Sequence, residues 1–437
     1  MAFQLDPSFA NDPEAHFDTL QVHAGLAPDP VTGSSSLPIY QSAAFEFKDA
    51  ADAAGKFALQ VPGNVYGRLT NTTTDSVAAR VAALEHGSAA VAVASGHAAE
   101  ILAILNIARA GDNIVASNSL YGGTWNIFLH TFERLGIHTS FVENNDVEGF
   151  LSATDENTKL WYAETIGNPR LDVSDVPALV AAASTVDVPV FVDNTFATPY
   201  LYRPAEDGAA VVIESLTKWI GGHGTSVGGA VIDGGNFDWG KVEGKFPTLT
   251  EPDPDYHGLV FWDALGSAAF GTRVLAQQLR DFGPTLSPFN AQQIGLGIET
   301  LSLRVQRQSD SALAVARHLE NHPKIAWVSY PGLESHPNHD VAARILRHGF
   351  GGVVVFGVRG GRQSGLDLVD NVRLATHLAN VGDAKTLIIH PASTTHSQLT
   401  AEQLEAAHLS EDLVRLSVGI ESVDDIIADL DQALDRI

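Results

Sequence analysis

The stretch Val212–Gly224, VIESLTKWIGGHG, places an amine and two hydroxyls at the end of an apolar run. Ala209–Ile213 reads as a short buried strand that ends in Glu214-Ser215-Leu216-Thr217-Lys218, followed by the flexible run Gly221-Gly222-His223-Gly224. A strand end of this kind puts a lysine on a polar ledge with an apolar wall behind it. Partial desolvation lowers a lysine's pKa and turns the amine into a nucleophile able to condense with an aldehyde. Most lysines are solvated surface charges, so the case for Lys218 depends on its neighbours.

Four neighbouring features have the chemistry that pyridoxal phosphate needs. Ser95-Gly96-His97 closes a strand and opens a helix, and the free N–H groups at a helix start suit a phosphate. Many strand-to-helix turns look the same. Tyr121, followed by Gly122 and Gly123, could stack on a flat ring or be a core tyrosine. Asp193 ends the apolar run Phe191-Val192, 25 residues before Lys218, which leaves room for one helix and one strand. A carboxylate there is costly unless it meets a cation: a protonated pyridine nitrogen, an arginine or a metal. Finally, Ser215 and Thr217 can donate to phosphate oxygens from the strand that carries Lys218.

Short β-rich runs carry these residues at their ends: 89–94, 114–117, 160–163, 188–192, 209–213 and 227–232. Helical runs at 98–109, 125–135 and 176–183 separate them. Strands alternating with helices predict an α/β protein with a mainly parallel sheet, its ligand at the carboxyl ends of the strands. Proline interrupts residues 1–65, an arm expected to contact a neighbouring subunit. The large domain is expected over 66–290. Within it, 233–262 breaks the alternation, with aromatics that predict ordered packing rather than disorder. A long helix from Pro288 then leads into a smaller α/β domain over 291–437.

With 26 basic and 52 acidic residues the net charge is −26, which argues against nucleic acid or an anionic membrane as partner. The chain has no cysteine, so disulfides and thiolate metal sites are excluded. The N-terminus lacks a signal-peptide pattern and no run is long enough to span a membrane; a cytoplasmic protein is expected. His336-Pro337-Asn338-His339 reads as a surface loop rather than a metal site, and His390 and His396 as satisfied polar residues. Gly357–Gly365 lacks the Gly-Lys-Ser/Thr ending of a P-loop.

VIESLTKWIGGHG resembles the cofactor-lysine signature of the Cys/Met-metabolism family of pyridoxal-phosphate enzymes, fold type I. The likeness continues through Tyr66-Gly67-Arg68, Ser95-Gly96, Tyr121, Glu164-Thr165-Ile166-Gly167-Asn168-Pro169, Val192-Asp193-Asn194-Thr195, His390-Pro391-Ala392-Ser393 and Arg415–Glu421. The resemblance implies that Lys218 carries the cofactor and moves protons, while Tyr121 stacks on the ring and helps the leaving group. Asp193 holds the ring nitrogen. Gly96, His97 (by its backbone), Ser215 and Thr217 hold the phosphate. Tyr66 and Arg68 complete the phosphate site of the neighbouring subunit, which implies dimers sharing active sites and a homotetramer. Arg415 grips the substrate carboxylate with Asn168, which also contacts the ring, and Asn380 and Ser393 join the substrate site.

The sequence departs from the family pattern in places. His97 stands where Met or Gln is usual, Asn71-Thr72-Thr73 replaces Asn-Pro-Thr, and Gly123 occupies the cysteine position of the γ-lyases. The insertion 233–262 and the run Asn380–Lys385 resemble the sulfhydrylase branch. That branch implies γ-replacement: O-acetyl-L-homoserine and sulfide give L-homocysteine and acetate, with methanethiol as a second nucleophile giving methionine. Cystathionine γ-synthase or methionine γ-lyase activity remains the alternative within the family. A non-enzymatic α/β nucleotide-binding module is the alternative outside it.

Overall fold

The apolar runs around Lys218 pair into one seven-stranded sheet. Its strands are β1 (Ala89–Val93), β2 (Asn113–Ser117), β3 (His138–Val142), β4 (Thr158–Glu164), β5 (Val190–Asp193), β6 (Val211–Glu214) and β7 (Gly229–Asp233), in the order β1-β7-β6-β5-β4-β2-β3. The structure, a computed structural model, describes residues 15–394 and 410–437. Strands β2 to β6 pair in parallel. β7 is antiparallel to both β6 and β1, so β1 again points the same way as the rest. The sheet is therefore mainly parallel, as the alternation predicts. Its two faces are both buried, under separate apolar clusters, and this explains why β2, β4 and β7 are buried along their whole length.

Register decides which polar groups meet. Glu164 lies opposite Asp193 across β4 and β5, and Asp193 opposite Ile213 across β5 and β6. Strands β4, β5 and β6 thus end along one edge, where the helix Gly96–Leu105 also begins. Strand β3 was not expected, because its sequence HTSFV opens on polar residues and its first residue is exposed.

A second sheet follows, formed by β8 (Ile325–Ser329), β9 (Val353–Val358), β10 (Thr376–His377), β11 (Leu387–Ile389) and β12 (Leu413–Ser417) in the order β10-β11-β12-β9-β8. All its pairings are antiparallel except β10 with β11. This part is less of a wound α/β unit than the alternation predicts, since helices between strands do not dictate direction. Val354, Phe356, Val414 and Leu416 pack with Val315, Leu368 and Leu430 of three helices, whereas Val353, Val355 and Leu413 belong to the core of the large sheet.

The single long helix expected from Pro288 is two, Pro288–Ile298 and Leu301–Glu320. The boundary expected at 290 falls inside the first, whose Ala291, Ile294 and Ile298 pack in the large-sheet core. Arg304 marks the break: its guanidinium donates to Gly297 O at 2.7 Å and to Trp219 O at 2.7 Å. The start of the arm packs on its own chain. Helix Phe17–His23 is pinned to its own chain through Gln21, whose amide donates to Ser302 Oγ at 2.9 Å and accepts from Ser302 N–H at 3.0 Å.

The 233–262 segment is ordered by its aromatics. Trp239 stacks on Phe270 with centroids 4.9 Å apart and meets Phe246 edge-on at 5.1 Å; all three are buried. Truncating such a side chain leaves a cavity as well as losing transfer free energy. Trp239→Ala is expected to lower unfolding free energy by about 3–5 kcal/mol in a denaturant titration.

Candidate active site

The strand ends enclose a cavity of about 300 Å³, at the small end of the usual range for a ligand site. Its lining includes Gly96, His97, Tyr121, Asn168, Asp193, Ser215, Thr217, Lys218, Asn380 and Arg415. The fold thus brings together ten residues proposed from sequence, drawn from strand ends and loops of the large sheet, from the loop at Asn380 and, for Arg415, from the middle of β12.

Lys218 Nζ donates to Asn380 Oδ1 at 2.7 Å. Burial, and then the nearby Arg415, lower its pKa to about 8, so about a tenth of the amine is neutral at pH 7. The turn that follows explains the glycine run. Gly222 has φ +69°, and a Cβ there would lie 1.9 Å from Arg304 Nη1. Only glycine lets Arg304 reach the Trp219 carbonyl and fix the chain just past the lysine.

Asp193 accepts from Thr195 N–H at 2.9 Å, and burial raises its pKa. Among the described residues no ion pair satisfies it. A protonated ring nitrogen is the cation this carboxyl lacks. At the other end of the cavity, a Cβ on Gly96 would stand 2.8 Å from Ser215 Cβ. That close approach lays Ser215 against the start of the helix, where the N–H groups of Gly96 and His97 have no helical acceptor. A phosphate fits there. Thr217 is already engaged: its hydroxyl donates to Gly228 O and accepts from Gly228 N–H, both at 3.1 Å. The residues present therefore fit pyridoxal phosphate at its nitrogen, its phosphate and its aldehyde.

Arg415 is buried without a carboxylate partner among the described residues. It donates to Asn168 Oδ1 at 3.1 Å and to Asn380 O at 3.4 Å, and burial lowers its pKa to about 10. Its remaining donors suit an α-carboxylate. Asn380 thus contacts both Lys218 and Arg415, a link invisible in sequence.

Three expected residues are not on this cavity. Ser393 Oγ lies 2.9 Å from His390 Nδ1 instead. Tyr66 is exposed, with the Arg68 guanidinium 5.5 Å from its ring centroid, and neither lines the cavity of its own chain. His390 is satisfied by Ser393 and by Glu411 O; His396 lies outside the described residues. The surface-loop reading of His336 is wrong. The residue is buried, its Nδ1 accepts from Asn338 N–H at 3.1 Å, and desolvation lowers its pKa to about 4. Asn338 in turn accepts from Val173 N–H, so the large domain covers this loop.

Two acids also line the cavity: Glu164, part of the motif quoted above, and Glu100, which the sequence reading does not place there. Glu164 accepts the Tyr121 N–H at 2.5 Å. Glu100 is buried, with Oε1 unpartnered among the described residues. The signal for Glu100 was available: it is the single acid in the apolar run Gly96–Ala108.

Behind the site, Glu214 and Glu85 form a buried carboxyl pair, with Asn194 Nδ2 donating to Glu85 Oε1 at 2.9 Å. Among the described residues neither Glu214 oxygen has a hydrogen-bond partner. Burial raises Glu85 from 4.5 to about 7, and burial together with Glu85 raises Glu214 well above 4.5. The folded chain therefore binds more protons here than the unfolded chain. Stability contributed by this pair is lost as pH rises from 4.5 towards and past 7. Glu214→Gln is expected to show a smaller drop in unfolding temperature between pH 6 and pH 8 than the parent, because an amide stays neutral and can donate to Glu85.

Residues 18–435 match the family model "Cys/Met metabolism PLP-dependent enzyme". The chain belongs to that family and is a pyridoxal-phosphate-dependent enzyme of the fold that the sheet order defines. Among curated relatives, it is 50% identical over 429 residues to an O-acetyl-L-homoserine sulfhydrylase of Leptospira meyeri, covering 96% of this chain and 97% of the relative. It is 49% identical to a homocysteine synthase of Schizosaccharomyces pombe, covering 96% and 98%. A Campylobacter jejuni crystal structure that contains N'-pyridoxyl-lysine-5'-monophosphate superposes with a TM-score of 0.93 at 37% identity, covering 96% of this chain and all of that one.

Proposed function

We propose that this enzyme performs γ-replacement on O-acetyl-L-homoserine, joining sulfide to its Cγ and releasing L-homocysteine and acetate. The observation that carries the reading is the convergence of Lys218, Asp193 and Arg415 on one cavity. The choice of ester and nucleophile is supported by the relatives at about half identity over nearly the whole chain, a sulfhydrylase and a homocysteine synthase.

Pyridoxal phosphate, when bound, supplies the electron sink that makes the amino acid's Cα and then Cβ protons removable. Asp193 would pair with its ring nitrogen, the N–H groups of Gly96 and His97 with Ser215 would hold its phosphate, and Lys218 would hold its aldehyde. Arg415 would take the substrate carboxylate, with Asn168 fixing the guanidinium plane. Lys218 Nζ would carry protons between Cα and Cβ of the bound amino acid. Its pKa of about 8 suits both acceptance and return of a proton. Tyr121 would cover the ring and assist departure of acetate. Asn380, which accepts from Lys218 Nζ, would hold the amine within reach of both carbons.

The exposed positions of Tyr66 and Arg68 support a role in a neighbouring subunit's phosphate site. So do the exposed apolar side chains of the arm, Val31, Phe57 and Val61. We read the enzyme as dimers with shared sites, assembled into a tetramer. Among the described residues no helix is long and apolar enough to cross a membrane, and we read the enzyme as cytoplasmic.

Steady-state assays with O-acetyl-L-homoserine and sulfide, methanethiol, cysteine or no nucleophile test the reaction. Sulfide is expected to be the best acceptor. A much better rate with cysteine would make the protein a cystathionine γ-synthase. Release of 2-oxobutyrate without nucleophile at a comparable rate would make it a lyase.

A further inference from the structure

We propose that His97 is a positioning residue for Tyr121, and that position 123 is glycine because the His97 imidazole occupies the space beside it. Both the histidine and the tyrosine line the cavity of Lys218, and the inference rests on the reading of that cavity as the cofactor site. The His97 ring stacks on the Tyr121 ring, with centroids 5.5 Å apart and planes 27° from parallel. A Cβ on Gly123 would lie 2.5 Å from His97 Nε2, 2.7 Å from His97 Cε1 and 2.5 Å from Tyr121 Cε1. These separations are all shorter than side-chain contacts tolerate. Imidazole, phenol ring and glycine backbone therefore interlock, and any side chain at 123 must push one ring aside.

The backbone of this turn has its own anchors. Tyr121 N–H donates to Glu164 Oε1 at 2.5 Å, and Trp125 N–H donates to Tyr121 O at 2.9 Å. They fix where the tyrosine starts but not how its ring is turned, and 47% of that residue is exposed. His97 is the aromatic partner of that ring. Its Nε2 is buried with no hydrogen-bond partner among the described residues. Desolvation, and secondly the charge of Lys218, hold the imidazole below its ordinary pKa of 6.5. A neutral ring can serve as a wedge here without placing a second cation beside the amine. The backbone N–H of His97 is independent of this role and is kept by every substitution at the position except proline.

The test is a double-mutant cycle on the holoenzyme with His97→Ala, Gly123→Ala and the two combined, together with hydrogen exchange on the apoenzymes. Gly123→Ala is expected to lower kcat by about tenfold or more when His97 is present, and by less than about threefold in the His97→Ala background. His97→Ala is expected to lower kcat by about tenfold, with the KM for the ester and the dissociation constant for pyridoxal phosphate each within about threefold of the parent. In the apoenzyme the Tyr121 and Trp125 amides should exchange faster in His97→Ala, with exchange in strands β4 and β5 unchanged. Additive effects of the two substitutions in enzymes that bind cofactor would overturn the pairing. So would unchanged exchange at the turn combined with a large rise in the cofactor dissociation constant, which would make the imidazole a cofactor contact. A parent enzyme that binds no pyridoxal phosphate would overturn the site reading itself, and this inference with it.

Discussion

Lys218→Ala is expected to lower kcat by about 10⁴-fold or more while leaving the fold intact. The size follows from two losses at one atom. The amine that would hold the cofactor aldehyde disappears, and so does the one base placed to move protons between adjacent carbons. No neighbour replaces it. Asn380, its hydrogen-bond partner, is an amide with no usable basicity. Burial holds the His97 imidazole neutral, but it is stacked on Tyr121 with Nε2 covered. Removing a buried amine also relieves its desolvation, so stability should not fall. The variant should melt within a few degrees of the parent, lack the parent's near-visible absorbance peak, and be inactive at any substrate concentration. A variant retaining a tenth of the parent's rate would mean that another group carries the proton.

Arg415→Leu is expected to act on binding. The guanidinium is buried without a carboxylate among the described residues and is held by Asn168 and Asn380. Truncating one partner of a buried, hydrogen-bonded charge pair costs about 3–4 kcal/mol, and so about 10²–10³-fold in kcat/KM. Most of that loss should be in KM for the amino-acid ester, with the nucleophile's KM little changed. Arg415→Lys should recover little, because an ammonium cannot reproduce the planar fork that also holds the Asn168 oxygen. An unchanged ester KM in both variants would place the carboxylate elsewhere.

Much of this site could be read from the sequence because each member ends an element. Asp193 and Lys218 follow apolar strands, and Gly96 and His97 open a helix, so element order and the parallel-sheet rule suffice to gather them. Arg415 is different. It sits inside β12 of the second sheet, and only the family resemblance pointed to it. Spacing could not have shown that Asn380 bridges Lys218 and Arg415, since 162 residues separate it from the lysine. Thr217 shows a different limit. Its hydroxyl is in the right place but already bonded to Gly228, a partner eleven residues on that no local pattern reveals. The mainly antiparallel pairing of the second sheet does not follow from the sequence, because helices between strands constrain connection length more than direction. His336 was misread because Pro337 resembles a loop signal whether or not another element covers the loop. The insertion 233–262 was legible in kind, as aromatic packing, but not in place. Trp239 stacks on Phe270, which lies outside the segment.

The central claim, that Lys218 holds pyridoxal phosphate in this cavity, is tested most directly by borohydride reduction of the purified holoenzyme followed by peptide mapping. The account predicts one pyridoxyl label per chain, on the peptide containing Lys218, with the near-visible absorbance lost on reduction. A label on any other lysine, or no label in a protein saturated with the cofactor, would contradict it.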